Sequence, residues 1–287
     1  MLNIICNPIA GKNKASKNIK KVSKYLKKEK IPYLVYFSEK PDDISTFASE
    51  LYKAGEKEFI IVGGDGTIHN FINAIPDLSQ INIGIIPSGI QNNFAKSAML
   101  ETNPVLAIQN ILNNKIEKFD IVKCNDIKSI NCIAFGAVEL VKHSSLKNGK
   151  PKNPNIFDKM KGIKSFEPIQ INFSGEEIKD KNINILQCYI ANGNFKGKLK
   201  ISPLSNVQDG LANIICVTAK ENKSRISEYI NIKAGKHIYS EENKIYWAPK
   251  VNISTSVVPV MAEIDGEIIE LNQLNIQILE KAINIFV

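Results

Sequence analysis

The sequence has one tryptophan and three histidines in 287 residues, and its five cysteines form no CxxC pair. His69, His143 and His237 stand alone, so neither a zinc centre nor a Ser-His-Asp triad has a cluster to rest on. Cys6, Cys124, Cys132, Cys188 and Cys216 lie scattered, mostly in apolar runs. An odd number spread in this way reads as the buried, reduced thiols of a cytosolic protein, not as a disulfide framework. No apolar run approaches the roughly 20 residues that cross a bilayer. The stretch from Met1 to Pro8 is too short for a signal peptide and ends on a turn signal, so it reads as a first strand. Basic and aromatic residues do not interleave, so nucleic acid is not an expected partner.

What is present fits a soluble globular chain: 44% hydrophobic and 23% charged residues. The length suits one large domain or two ordinary ones. The net charge, 37 − 29 = +8, invites an anionic partner such as nucleotide phosphate or an acidic membrane. A composition rich in lysine, asparagine and isoleucine gives the same excess without any function.

Periodicity divides the chain. Short apolar runs at residues 2–6, 33–37, 58–62 and 83–86 alternate with helical patterns, the first carried by Ala15, Ile19, Val22 and Leu26. Strand alternating with helix at this pitch predicts a parallel, doubly wound α/β sheet. From residue 119 onward strand-like runs dominate (119–123, 130–135, 169–173, 183–190, 212–218, 244–247, 251–254, 261–264), with one clear helix at 226–232. That pattern predicts a β-rich, antiparallel sandwich. The expected division is therefore 1–118 and 119–287, with the C-terminal tail free to pack back on the first domain. A basic segment, residues 142–152, reads either as a solvated loop or as a membrane-facing lid.

The strongest local signal is Gly63-Gly64-Asp65-Gly66-Thr67, directly after the apolar run ending at Val62. Glycines let the backbone turn tightly and bring its N–H groups close to phosphate. Thr67 can cap the helix that follows, whose N-terminus favours anions. A carboxylate at Asp65 would repel bare phosphate, which suggests a bridging magnesium ion or contact with a hydroxyl. A plain strand-turn-helix corner needs fewer glycines than this. Two further turns follow strands, Asn7-Pro8-Ile9-Ala10-Gly11-Lys12 and Pro87-Ser88-Gly89-Ile90-Gln91-Asn92-Asn93-Phe94-Ala95, and open parallel sheets bind ligands at such strand ends.

Together these segments resemble the diacylglycerol kinase catalytic family, which includes bacterial lipid kinases and sphingosine and ceramide kinases. Tyr189-Ile190-Ala191-Asn192-Gly193 with Gly197, Pro203 with Asp209-Gly210-Leu211, and Asp265-Gly266-Glu267 resemble its later motifs in the same order. The resemblance implies ATP in a cleft between a nucleotide-binding domain and an acceptor-binding domain, with magnesium. It implies that Asn7, Gly11, Lys12, Ser38, Gly63, Gly64, Asp65, Gly66, Thr67 and Gly89 line the nucleotide side. Glu267 corresponds to the proton acceptor for a lipid hydroxyl, with Asp265 beside it and Asp65 in the catalytic set. Asp209, with carbonyls near Asn206 and Leu211, corresponds to a structural magnesium site. The expected enzyme is cytoplasmic, works at the inner face of an anionic membrane and acts on a lipid alcohol such as diacylglycerol; a homodimer is left open.

Three positions depart from the family pattern. Ile90 replaces a threonine, Asn93 an aspartate and Asn70 a glutamate that often follows the glycine turn. They leave room for a kinase of a soluble acceptor such as NAD, or for a nucleotide- or lipid-binding regulator without turnover.

Overall fold

The computed structural model describes residues 1–40, 42–139, 156–175, 177–219 and 225–287. The basic segment 142–152 lies outside the described residues. Two compact units emerge. The first comprises Met1–Ile121, Val207–Gly210 and Leu279–Val287, and the second Val122–Asn206 and Leu211–Ile278.

In the first unit the chain runs β1 (Leu2–Cys6), α1 (Ala10–Lys28), β2 (Tyr33–Phe37), α2 (Asp43–Lys53), β3 (Glu58–Gly63), α3 (Asp65–Ala74), β4 (Asn82–Pro87), α4 (Asn93–Ser97), α5 (Pro104–Leu112) and β5 (Ile116–Cys124). β1 pairs in parallel with β2 and β3, and β3 with β4. Helix α1 forms because Ala15, Ile19, Val22 and Leu26 recur on one face, where they are buried against Ile4, Ile60 and Val62 together with Ile108 and Ile111 of α5. Helices α2 and α3 pack together, and the rings of Phe59 and Phe71 meet edge-on at 5.2 Å. The expected doubly wound α/β arrangement is present.

The second unit contains β6 (Ile127–Ser129), β7 (Cys132–Gly136), α6 (Ile156–Ser165), β8 (Ile169–Ser174), β9 (Ile183–Ala191), β10 (Phe195–Lys196), β11 (Leu199–Lys200), β12 (Ala212–Thr218), α7 (Arg225–Lys233), β13 (Lys244–Ala248), β14 (Lys250–Thr255), β15 (Val260–Ile264), β16 (Glu267–Leu271) and the start of β17 (Leu274–Phe286). Its pairings are antiparallel, as expected from the sequence, and β9 organises them. Ile183 and Ile185 pair with β8, while Gln187 to Ala191 pair with β7 along the same strand, and β12 covers the other edge. One strand that changes partners in this way curls the sheet around an apolar core of Ile133, Phe135, Ile171, Phe173, Ile190, Ile214, Ile253 and Ile264. The last residues of β17 belong to the first unit, where Asn284 and Ile285 pair in parallel with Asn82 and Ile83 of β4.

All five cysteines are buried and free. Burial pushes the thiols of Cys6 and Cys124 up to about 12.

Candidate active site

Because β1 to β4 are parallel, the turns that follow them leave the same edge of the sheet. The turns are tied to one another through the backbone. Asn7 N–H donates to Val62 O at 3.1 Å, Ser38 N–H to Cys6 O at 3.0 Å and Ser88 N–H to Gly63 O at 2.7 Å. Gly64 and Gly89 touch directly: a Cβ on Gly64 would sit 2.8 Å from the Cα of Gly89, closer than carbon atoms approach. Gly11, Lys12 and Asn13 have φ of 62°, 57° and 68°, three consecutive residues in the left-handed region. For the two that are not glycine this costs about 1–2 kcal/mol each. Strain of this kind persists where the surroundings impose it, and it concentrates at ligand sites. Here a Cβ on Gly11 would meet Ser88 O at 2.1 Å. A buried chain, Asn18 Nδ2 to Ser88 Oγ at 2.9 Å and Ser88 Oγ to Ile86 O at 3.0 Å, pins α1 to the same turn.

The side chains at this edge do not all take the expected parts. Thr67 does not cap α3; the N-cap is Gly64, which places Thr67 inside the first turn, where its Oγ1 accepts from Asn7 Nδ2 at 3.4 Å. The carboxylate of Asp65 accepts the N–H groups of Asn93 at 3.0 Å and Phe94 at 3.2 Å, so it binds the β3–α3 turn to the start of α4. Asn93 is buried there, with Nδ2 on Gln91 Oε1 at 3.2 Å, whereas Ile90 is 75% exposed. Asn7 Oδ1 is buried without a hydrogen-bond partner. A buried orphan acceptor beside close-packed glycine backbone fits a ligand that carries both donors and anionic oxygens.

Asp209 is exposed on the Val207–Gly210 turn. That turn is held by Asp120, a fully buried carboxylate whose two oxygens accept Gly210 N–H and Lys281 N–H, each at 2.7 Å, while its own N–H donates to Val207 O at 2.8 Å. Among the described residues no group of three or more His, Cys, Asp or Glu side chains could hold a metal. Asn206 and Leu211 flank the Val207–Gly210 turn in the sequence.

In the second unit Glu267 begins β16 and is exposed. Asp265, read from sequence as part of the catalytic pair, is buried at φ 50° and accepts four hydrogen bonds: Ser129 Oγ at 2.8 Å and the N–H groups of Ile130, Asn131 and Cys132 at 2.9–3.1 Å. So saturated a carboxylate fixes the β15–β16 turn to the segment before β7. Next to it stands a group that no motif announced. Lys196 pairs with Glu263, and with fully buried Glu139 at 3.7 Å, and Glu139 also receives Gln187 Nε2 at 2.5 Å. Burial alone would push the Lys196 ammonium down, but Glu263 and Glu139 outweigh it and its pKa is raised. Cys132 lies among these charges; burial, the main cause, takes its thiol up to about 12, with Asp265, Glu263 and Glu139 adding to the rise.

Sequence reasoning passed over Asn18, Asp120, Glu139, Lys196 and Glu263. A signal existed for two of them. Asn18 interrupts the apolar stripe of α1, and Asp120 sits in the middle of the apolar run Phe119-Asp120-Ile121-Val122. Lys196 reads as one of several solvated lysines in Phe195-Lys196-Gly197-Lys198-Leu199-Lys200.

The chain thus joins a parallel α/β unit with glycine turns at its strand ends to an antiparallel, β-rich unit. Residues 1–124 match the family model described as diacylglycerol kinase catalytic domain, and residues 139–287 match the YegS C-terminal NAD kinase beta sandwich-like domain. The second match covers more than half of the chain, and the protein belongs to this diacylglycerol kinase and YegS family. It is 28% identical, over 96% of this chain and 93% of the relative, to a protein of Staphylococcus carnosus named "Putative lipid kinase". Its fold is similar to a crystal structure titled as that of "a putative diacylglycerol kinase" from Bacillus anthracis, with a TM-score of 0.77, 21% identity and coverage of 99% and 94% of the two chains. A more distant fold likeness is to yeast NADH kinase complexed with NADH, with a TM-score of 0.53, 11% identity and coverage of 99% and 82%.

Proposed function

We propose that the protein is an ATP-dependent lipid kinase that transfers the γ-phosphate to a lipid hydroxyl such as that of diacylglycerol. The observation that carries this reading is the convergence of three turns on one sheet edge, where glycine backbones touch and Asn7 Oδ1 is buried without a partner. Phosphoryl transfer asks a protein for positioning and charge neutralisation more than for covalent help. The turns of Gly63, Gly64, Gly66 and Gly89, with Gly11, Lys12, Ser38 and Thr67, form the nucleotide side, and Asn7 Oδ1 accepts a donor from the nucleotide. Asp65 holds two of these turns together. Magnesium bound with the nucleotide would supply charge neutralisation at the phosphates. Glu267 takes the proton of the acceptor hydroxyl, a contribution of roughly 10²–10⁴ in rate. Asp209, with carbonyls of Asn206 and Leu211, would hold a structural cation. The net charge of +8 favours work at an anionic membrane surface.

The test is ATP consumption with and without mixed micelles of diacylglycerol, with product identified. Lipid-dependent turnover is expected, and Glu267→Gln should lower it by roughly 10²–10⁴-fold while leaving nucleotide affinity unchanged. A protein that binds ATP yet phosphorylates no lipid alcohol in any presentation overturns the reading. Phosphorylation of NAD in the same assay selects a soluble acceptor instead.

A further inference from the structure

We infer that Lys196 is a positioning residue for Glu267, acting through its ion pairs with Glu263 and Glu139; the inference rests on the reading of Glu267 as the base. Glu267 is exposed, and its strand β16 pairs with β15 alone among the described strands, with Ile264 opposite Glu267. The place of Glu267 is therefore set by β15. In turn β15 pairs with β7 over only three residues, Ala262 to Ile264. Two side-chain anchors reinforce that short ladder. One is Asp265 with its four donors. The other is Glu263, two residues earlier, held by Lys196.

Lys196 does more than neutralise Glu263. It also reaches Glu139, just beyond β7, and Glu139 is bound to Gln187 of β9, whose Oε1 accepts Val138 N–H at 3.1 Å. One ammonium thus links β15 to the segment just beyond β7 and, through Glu139 and Gln187, to β9. Without it, Glu139 and Glu263 would face each other as buried carboxylates beside Asp265, and repulsion would bear on the hairpin that carries Glu267.

A buried ion pair can also be purely structural, so the test must separate the two roles. We would measure kcat, and KM for ATP, on diacylglycerol micelles for the parent, Lys196→Met, Lys196→Arg, Glu267→Gln and the double variant Lys196→Met/Glu267→Gln. Misplacing a reacting group by about 1 Å costs on the order of a hundredfold. Lys196→Met should therefore lower kcat by about that factor with KM within about twofold, and Lys196→Arg should restore most of the loss. In the Glu267→Gln background the same substitution should change kcat by less than about threefold, because no base remains to be placed. Equal losses in both backgrounds, or parental kcat in Lys196→Met, overturn the proposal. Should Lys196→Met fail to fold, Lys196→Met/Glu263→Gln/Glu139→Gln, which removes both carboxylates that Lys196 pairs with, carries the same comparison. Full activity of Glu267→Gln sinks the base assignment itself, a result distinct from additivity of the two substitutions.

Discussion

The strand-end turns of the first unit and the charged cluster of the second solve opposite problems. At the turns, polarity belongs to the backbone. Asn7, Gly64, Ser88 and Gly89 are brought together by main-chain bonds and by the absence of Cβ atoms. In the cluster, polarity belongs to side chains. Glu263 and Glu139 are buried and answer the partly buried Lys196 across strands, while buried Asp265 collects its donors from residues 129–132. Backbone polarity is cheap to bury because its geometry is fixed in advance, whereas a buried carboxylate must find donors from elsewhere in the fold. The first arrangement tolerates almost no added volume. The second tolerates almost no lost charge.

The comparison breaks most visibly at Asp265. Asp265→Ala should cost at least about 3 kcal/mol, since it orphans four donors at once. Urea denaturation measures this, and a loss under about 1 kcal/mol would mean that the turn does not depend on its carboxylate. The matching experiment at the other region is Gly64→Ala, which forces a methyl into the Cα of Gly89. It should cost about 2–3 kcal/mol through overpacking and weaken nucleotide binding by about a hundredfold; calorimetric titration giving the parental Kd would show that the turn can move aside.

A third measurement concerns Asp209, whose turn is anchored by Asp120 independently of any ion. Added magnesium should raise the Tm of the parent, by about 2–3 kcal/mol of stability at a hundredfold excess over Kd, and leave Asp209→Ala unmoved. Parallel responses would remove the cation from that turn.

The smallest effect is a pH dependence. His237 is buried, with Nε2 on Ile201 O at 3.1 Å and Nδ1 without a partner. Burial lowers its pKa below the usual 6.5, against the smaller opposing pull of the Ile201 carbonyl. The unfolded chain therefore binds the proton more readily. Stability is fully present above about pH 6.5 and declines as pH falls below it, by at most about 1.4 kcal/mol per pH unit. His237→Gln should flatten that decline in thermal melts between pH 7 and pH 5; an unchanged slope would assign the acid sensitivity to other groups.

Much of the architecture was legible because it follows from local periodicity. The apolar runs at Leu2–Cys6 and Tyr33–Phe37 announce parallel strands, and the stripe of Ala15, Ile19, Val22 and Leu26 announces the helix between them. The glycine turn announced itself for the same reason: its requirement is met by adjacent residues. The part played by Asp265 was not legible. A DG pair is an ordinary turn signal, and nothing nearby shows that its carboxylate collects donors more than 130 positions earlier in the chain. Thr67 was misjudged as a cap because the helix begins at Asp65, a boundary that sequence places only to within a few residues.

The sequence by itself determined the alternation of strand and helix, the change to antiparallel strands after the first unit, and the glycine positions where backbone must approach backbone. These are properties of neighbouring residues, and φ preference and side-chain period act over a few positions. Only the tertiary structure decided that Asn284 and Ile285 lie beside β4, that Asp120 anchors the turn bearing Asp209, and that Lys196 is a partly buried, ion-paired lysine and not a solvated one. Each of these depends on which distant segment of the chain packs alongside, and desolvation by that segment turns an ordinary charged side chain into a fixed part of its surroundings.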